Sequence, residues 1–170
     1  EGMAELLATH NWDGTQLQLR QMPKAKEDVP YWGRIKIIKD QVAEKKGLMI
    51  QEIMNFGSDA QLRLDAYAWS WAACSFLDTH PAFQKTFREH LKNIGDSSPE
   101  FSLDLVKAYG EQWFQVRQQW QVFVMNIEYG FDIARESIDV VEVRPLELAA
   151  EVIPVRADRG WQSTGLRVTA

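Results

Sequence analysis

Residues 65–79, DAYAWSWAACSFLDT, decide the fold class of this chain. Their apolar side chains recur at spacings typical of a buried helix surface. These positions are Tyr67, Trp69, Ala72, Ala73, Phe76 and Leu77. The segment therefore predicts a helix that runs through Thr79 and packs into a core.

The sequence after this segment also predicts helices. His80-Pro81 interrupts the first helix and begins a second one, because proline is tolerated only near the start of a helix. A short helix is predicted near residues 101–109 and ends at Gly110. A long helix follows, with apolar residues at three- and four-residue steps. These residues are Trp113, Val116, Trp120, Phe123, Val124 and Ile127.

The sequence before this segment is more varied. Residues 1–10 carry apolar side chains at helical spacing, with His10 near the predicted C-terminus, and residues 16–19 alternate like a strand. Another helix is predicted from Asp28, with Pro30 in its first turn, to Lys46. Residues 48–56 are predicted to form a brief extended piece and then a short helix.

The pattern changes to short β-type runs after about residue 137. The runs are residues 140–143, 151–155 and 166–168, and proline and glycine separate them. We therefore expect a mainly α fold with about six helices over residues 1–138. Residues 139–170 are expected to form a linker and the start of a truncated β module, and both chain ends read as parts of a longer protein.

The composition excludes several classes of function. Apolar residues make up 45% of the chain and charged residues 25%, which is a globular balance. The net charge is −5 and no basic stripe occurs, so we expect no nucleic-acid partner. No run of about eighteen apolar residues occurs, so we expect no membrane span. Cys74 is the only cysteine, and its apolar neighbours predict an inert core thiol.

No complete catalytic motif occurs in the chain. A zinc protease commonly places two histidines on one helix as His-Glu-x-x-His. The histidines here are His10, His80 and His90, and none has that spacing. In the inverted motif, Glu89-His90 would need a histidine where Thr86 stands. We therefore expect this chain alone to bind no zinc and to be catalytically silent.

The first residues nevertheless resemble a known metal-binding motif. Glu1-Gly2-Met3-Ala4-Glu5 is similar to the second zinc motif of the gluzincins, the peptidase-MA-like zinc metallopeptidases. Residues 65–77, 81–83 and 87–88 resemble the helices that follow this motif, and residues 120–132 resemble the closing helix of a bacterial branch of the group. The resemblance covers roughly residues 1–137.

This resemblance implies a zinc-dependent, peptidase-like parent protein that acts on a peptide or protein substrate. Glu1 matches the glutamate that completes the zinc site, and Glu5 is expected to orient a ligand from behind. Tyr67 matches a catalytic tyrosine that donates to the developing oxyanion, although Trp69 stands where a glycine often follows that tyrosine. The histidine helix would precede Glu1. The resemblance also implies export to the periplasm or the extracellular space.

Plainer interpretations stay open. The Glu1 motif is also typical of an ordinary amphipathic helix start, and Tyr67 of a packed helical tyrosine. The alternative function is a non-catalytic interaction or scaffold domain. Residues 159–168 resemble the start of some bacterial sugar-binding domains, which predicts a carbohydrate-binding β module. Exposed edge strands in this region would favour self-association.

Overall fold

The computed structural model of this chain describes residues 2–29, 32–96, 98, 100–139, 141, 144–145 and 152–167. The fold is mainly α, as the sequence predicts, and its strands are short. The helices are α1 (Gly2–Ala8), α2 (Arg34–Ala43), α3 (Ile50–Met54), α4 (Leu64–Thr79), α5 (Gln84–His90), α6 (Glu100–Tyr109), α7 (Trp113–Asn126) and α8 (Ile133–Glu136). The strands are β1 (His10–Trp12), β2 (Leu17–Leu19), β3 (Arg144–Pro145) and β4 (Leu166–Arg167).

Helix α4 is the centre of the fold. It packs against α1, α2, α3 and α5, and its residues are buried on every side except the partly buried face of Tyr67, Ser70 and Cys74. A helix that is apolar all round is stable only when other elements surround it. The composition of residues 65–79 therefore explains why the other helices assemble around this one.

Large aromatic side chains fill the core. Trp69, Trp71 and Trp120 are fully buried, and Phe76 lies among them with its ring centroid 5.6 Å from that of Trp120. Burial of each such side chain contributes about 1.5–3 kcal/mol. The Nε1 atoms of Trp69 and Trp120 donate to the side-chain oxygen of Gln41 and to the carbonyl oxygen of Leu48, at 2.6 and 2.9 Å. The aromatic core thus joins α4 to α7 and to the segment before α3.

The start of the chain corrects one prediction. The predicted helix over residues 1–10 ends at Ala8, and His10 opens β1, which pairs antiparallel with β2. The Thr9 hydroxyl donates to the carbonyl oxygen of Leu6 at 2.7 Å, and Thr9 N–H bonds the same oxygen. These bonds end the helix before His10, and His10 pairs with Leu19 in the hairpin. Its Nδ1 still lies 2.9 Å from the carbonyl oxygen of Ala8, beside the helix C-terminus.

Helix α2 is shorter than predicted. Residues Lys26–Asp28 form a 3-10 turn, and the α-helix begins only at Arg34. The Asp28 carboxylate accepts from the backbone N–H groups of Lys24 and Ala25, so it stabilises the start of this 3-10 turn and does not open α2. Pro30 lies outside the described residues.

The last part of the chain contains little regular structure. Strands β3 and β4 pair in parallel over two residues each. Residues 152–155 form no strand, so the prediction of a strand over 151–155 is wrong for these positions. Most of the predicted run at 140–143 lies outside the described residues, and the prediction for 166–168 is confirmed at Leu166 and Arg167. In the part of the chain that the structure describes, no helix has the length and apolar character to cross a membrane.

Candidate functional site

Helix α1 makes a close contact with α4 at Gly2. A Cβ atom on Gly2 would lie 2.5 Å from the carbonyl oxygen of Ser70 and 2.7 Å from the Cys74 sulfur. Both distances are too short for any side chain, so only glycine permits this approach. The structure therefore shows that Gly2 brings α1 directly against α4.

Tyr67 lies on the same side of α4 as this contact. Residues three and seven positions apart share a helix face, and Ser70 and Cys74 follow Tyr67 at these spacings. The Tyr67 hydroxyl donates to the carbonyl oxygen of Gln61 at 3.1 Å. This bond ties the start of α4 to the 3-10 turn at Ser58–Leu62.

Glu5 has a strong partner that the sequence does not reveal. Its carboxylate pairs with the Arg34 guanidinium, and only 18% of each side chain is exposed. The Arg34 guanidinium also lies over the Trp32 ring, 4.9 Å from its centroid, and Trp32 packs edge-on against Trp71 at 4.5 Å. These contacts lock α1 to α2 and α4. The structure thus shows Glu5 holding the helix, and its orienting role stays a prediction.

The zinc prediction falls mainly outside the described residues. Glu1 is not among them. Within the described part of the chain, no three His, Cys, Asp or Glu side chains come together in a way that could hold a metal ion. The donors described here therefore do not make a zinc site, and two histidine ligands would have to come from another segment.

An apolar pocket of about 490 Å³ opens beside Gly2 and Met3. Helices α3, α4, α5 and α6 form its walls, and the segment between α3 and α4 forms its rim. Ser70, Ala73, Cys74 and Leu77 of α4 line it at helical spacing. This volume lies in the range of about 300–1,000 Å³ in which small-molecule sites fall.

Cys74 lies in the pocket wall and is partly exposed. Burial raises the pKa of the Cys74 thiol to about 12. A raised pKa favours the protonated thiol near neutral pH, and a protonated thiol is a weak nucleophile. The inert core thiol stays a prediction.

The far end of α4 carries a buried ionic group that the sequence analysis did not identify. Asp78 is 1% exposed, and Arg88 donates to its carboxylate through Nε at 2.9 Å and to its backbone carbonyl at 2.8 Å. Arg20 approaches the same carboxylate at 3.4 Å. In the sequence, the only sign of this group is an aspartate at the end of an apolar helix. The sequence does not show that Arg88 and Arg20 are its partners.

His80 belongs to a second buried polar group. Its Nδ1 accepts from the backbone N–H of Ala82 at 3.2 Å, so its Nε2 is the protonated nitrogen and donates to the Gln119 side-chain oxygen at 2.7 Å. Gln119 also exchanges two bonds with the backbone of Ile138, each 2.9 Å. Burial lowers the pKa of His80 below its usual 6.5. His80 interrupts the helix as predicted, and it also joins α4 to α7 and residue 138.

The C-terminal part of the chain contains an exposed tryptophan beside a polar cavity. Trp161 is 79% exposed and lines a cavity of about 580 Å³, together with side chains of α7 and α8. Asn126, Asp132 and Glu136 contribute polar groups to this cavity. This cavity thus combines an exposed aromatic ring with amide and carboxylate groups.

Comparisons with known proteins identify no relative. No family model, no curated protein and no solved structure matches this chain.

Proposed function

We propose that this chain is the C-terminal helical part of a zinc-dependent, peptidase-like hydrolase. The observation that carries the proposal is the contact of Gly2, the residue after Glu1, with the face of α4 that also bears Tyr67. Gly2 contacts Ser70 and Cys74, which follow Tyr67 at three and seven positions on α4. An ordinary amphipathic helix start does not require this arrangement.

In this proposal a His-Glu-x-x-His helix before Glu1 supplies two ligands and the general base, and Glu1 supplies the third ligand. When bound, the zinc ion lowers the pKa of its water and polarises the scissile carbonyl. The Glu5–Arg34 pair holds α1 against the rest of the domain.

Tyr67 would donate a hydrogen bond to the oxyanion that forms on the substrate. Its single hydroxyl hydrogen is directed to the Gln61 carbonyl oxygen in this structure, so the hydroxyl must exchange that partner during the reaction. Loss of one such donor typically lowers kcat by about 10²–10³-fold.

The test uses the longer protein that contains this chain. We expect stoichiometric zinc in the unmodified protein, loss of zinc and peptidase activity in Glu1→Ala, and retained zinc with lower kcat in Tyr67→Phe. Glu111→Ala is the matched control, because Glu111 is an exposed glutamate away from α1. Zinc content is measured by plasma mass spectrometry and activity with a library of quenched peptides.

Two results would contradict the proposal. One is the absence of His-Glu-x-x-His from the segment before Glu1. The other is a zinc content that Glu1→Ala leaves unchanged. Secretion to the periplasm or beyond stays a prediction of the resemblance, and cell fractionation of the producing organism tests it.

A second candidate is a non-catalytic interaction domain, which the β1–β2 hairpin favours. The pairing of His10 with Leu19 and of Trp12 with Leu17 puts these four side chains on one face. Trp12, Leu17 and Leu19 are 59%, 55% and 43% exposed. An interaction domain would be indifferent to Glu1→Ala, and Trp12→Ser with Leu17→Ser would reduce its self-association in sedimentation velocity.

The carbohydrate-binding hypothesis is a third and narrower candidate. Its support is the exposed Trp161 beside polar groups, since sugars stack on aromatic rings and bond to carboxylates and amides. A glycan array probed with the longer protein and with Trp161→Ala tests it. An array with no signal would count against sugar binding.

A further inference from the structure

Trp161 is exposed, but the backbone that carries it is fixed by the residues before it. The Trp161 side chain is 79% exposed. The Arg159 side chain is only 12% exposed and donates to the carbonyl oxygen and the hydroxyl of Ser137, at 2.7 and 2.9 Å. The Gly160 N–H donates to the carbonyl oxygen of Arg135 at 2.9 Å. The indole is therefore positioned beside the polar cavity before any ligand binds, which lowers the cost of binding.

The polar groups of this cavity are mainly hydrogen-bond acceptors. The Asn126 side-chain nitrogen donates to the carbonyl oxygen of Val122 at 2.7 Å, which leaves the side-chain oxygen as an acceptor. Asp132 accepts from the backbone N–H of Arg135 through Oδ1 at 3.0 Å and keeps Oδ2 as a second acceptor. The Glu128 carboxylate has no partner among the described residues. The cavity therefore suits a ligand that brings several donors.

The charges that line the cavity also favour a cation. Glu128, Asp132 and Glu136 are negative, whereas Lys39 and Arg135 are positive. Arg135 already lies beside a carboxylate, with its Nε 3.5 Å from Glu136. Lys39 is the other cation and belongs to α2. With three carboxylates against two cations, the lining carries one negative charge in excess.

The aromatic and apolar parts of the lining select the shape of the cation. The guanidinium of arginine is planar, carries five N–H donors and stacks on aromatic faces. Trp161 provides such a face. Val122 and Met125 of α7 are 38% and 69% exposed and provide an apolar surface for the methylene groups of the same side chain. A lysine ammonium has three donors and no planar face, so it fits this lining less well.

We infer that this cavity binds an arginine side chain of a peptide or protein partner. The guanidinium would stack on Trp161 and bond to Glu128 and Asp132. The cavity volume of about 580 Å³ accommodates this side chain with part of the adjoining backbone. The inference goes beyond the proposed hydrolase, because it involves neither zinc nor Glu1.

Binding is measured on this chain by NMR. The chain, labelled with ¹⁵N, is titrated with N-acetyl-argininamide, and the indole N–H signals of its seven tryptophans are followed. We expect a saturable shift of one signal, which is assigned to Trp161 because it is absent from Trp161→Phe. N-acetyl-citrullinamide has a similar shape without the charge and should bind at least about fivefold more weakly. N-acetyl-lysinamide should bind about threefold more weakly.

Two charge variants should change the affinity in opposite directions. Glu128→Gln removes an anion and should raise the Kd of the arginine probe about threefold, whereas Lys39→Met removes a cation and should lower it about twofold. Trp161→Ala should raise the Kd about threefold through loss of stacking, and backbone amide signals then report binding. Glu111→Gln is the matched control, because Glu111 is exposed and does not line the cavity. It should leave the Kd unchanged.

Other occupants of the cavity give different results. Equal binding of the citrulline or lysine probe, or weaker binding by Lys39→Met, would overturn the inference. A Trp161 signal that shifts with methyl glucoside and not with the arginine probe would assign the cavity to a sugar. Free L-arginine that binds about tenfold more tightly than the capped probe would assign it to the free amino acid. Failure of the proposed hydrolase is seen separately, as a zinc content that does not depend on Glu1.

Discussion

The two ends of α4 differ in how their side chains are packed. At the C-terminal end, the buried Asp78 and the adjoining His80 are bonded to arginine, glutamine and backbone groups. At the N-terminal half, Ser70 and Ala73 leave room, and glycine brings α1 against the helix. Satisfied polar groups specify how the core is assembled, whereas unfilled apolar space is available to a ligand. The comparison therefore predicts that the largest loss of stability follows from a change at the C-terminal end.

The largest expected effect is at the Asp78 group. Arg88→Met removes the closer of the two cations and leaves the 1% exposed carboxylate with Arg20 at 3.4 Å. Breaking a buried ion pair in this way lowers the free energy of unfolding by about 3–5 kcal/mol. Because Arg88 is partly exposed and Arg20 remains nearby, we expect a loss of about 3 kcal/mol. Urea unfolding measures the free energy. Lys85→Met, on an exposed part of α5, should stay within about 0.5 kcal/mol of the unmodified chain.

The contact of α1 with α4 is expected to be the next most sensitive. Gly2→Ala puts a methyl group 2.5 Å from the Ser70 carbonyl oxygen, so α1 must move away from α4. Overpacking of this kind costs about 1–3 kcal/mol. Hydrogen exchange should show faster exchange in α1 than in α7. Gly95→Ala is the control, because a Cβ at Gly95 meets no atom within 4 Å, and equal effects of the two substitutions would refute the close contact.

A smaller effect is expected at Tyr67. Tyr67→Phe removes the bond to the Gln61 carbonyl oxygen, and a single hydrogen bond contributes about 0.5–1.5 kcal/mol. In this chain we therefore expect a loss of about 1 kcal/mol in thermal or urea unfolding. A Tyr109→Phe variant, which removes the buried bond to the carbonyl oxygen of Phe83, provides the comparison. A stability that Tyr67→Phe leaves unchanged would show that the hydroxyl is not held by Gln61.

The smallest expected effect is the pH dependence due to His80. Because burial lowers the pKa of His80 in the folded chain below 6.5, the unfolded chain binds more protons between the two pKa values. The contribution of His80 to stability is therefore complete above pH 6.5 and is lost as the pH falls through the lower folded pKa. Unfolding free energies at pH 7.5 and 5.5 should differ less in His80→Asn than in the unmodified chain. An equal difference in both would contradict the role of His80.

The helices were predictable because their signals are local. The spacing of apolar residues in 65–79 and around Trp113 and Trp120 already implies buried helices, and α4 and α7 occur where expected. The end of α1 was less predictable, because Thr9 closes the helix through its own hydroxyl and because β1 needs β2 as a partner. The run at 152–155 has β-type residues but no paired strand, and β propensity alone does not provide one.

The candidate site was predictable only in part. The resemblance to a known metal-binding motif singled out Glu1, Glu5 and Tyr67, and no signal in the sequence identified α4 as the partner of Gly2. The Arg34 partner of Glu5 and the Gln61 partner of Tyr67 depend on how separate elements meet. The pocket could not be predicted from the sequence either, because its lining residues lie far apart in the chain, from α1 to α6.

The sequence by itself determined the mainly α character of the chain and the burial of residues 65–79 in its core. Each follows from composition and spacing within one segment, which act through burial of apolar side chains. Only the tertiary structure decided which groups satisfy Asp78 and His80, where Gly2 touches α4 and where empty space is left. These features depend on distances between residues far apart in the chain, and such distances are set by packing of the whole domain.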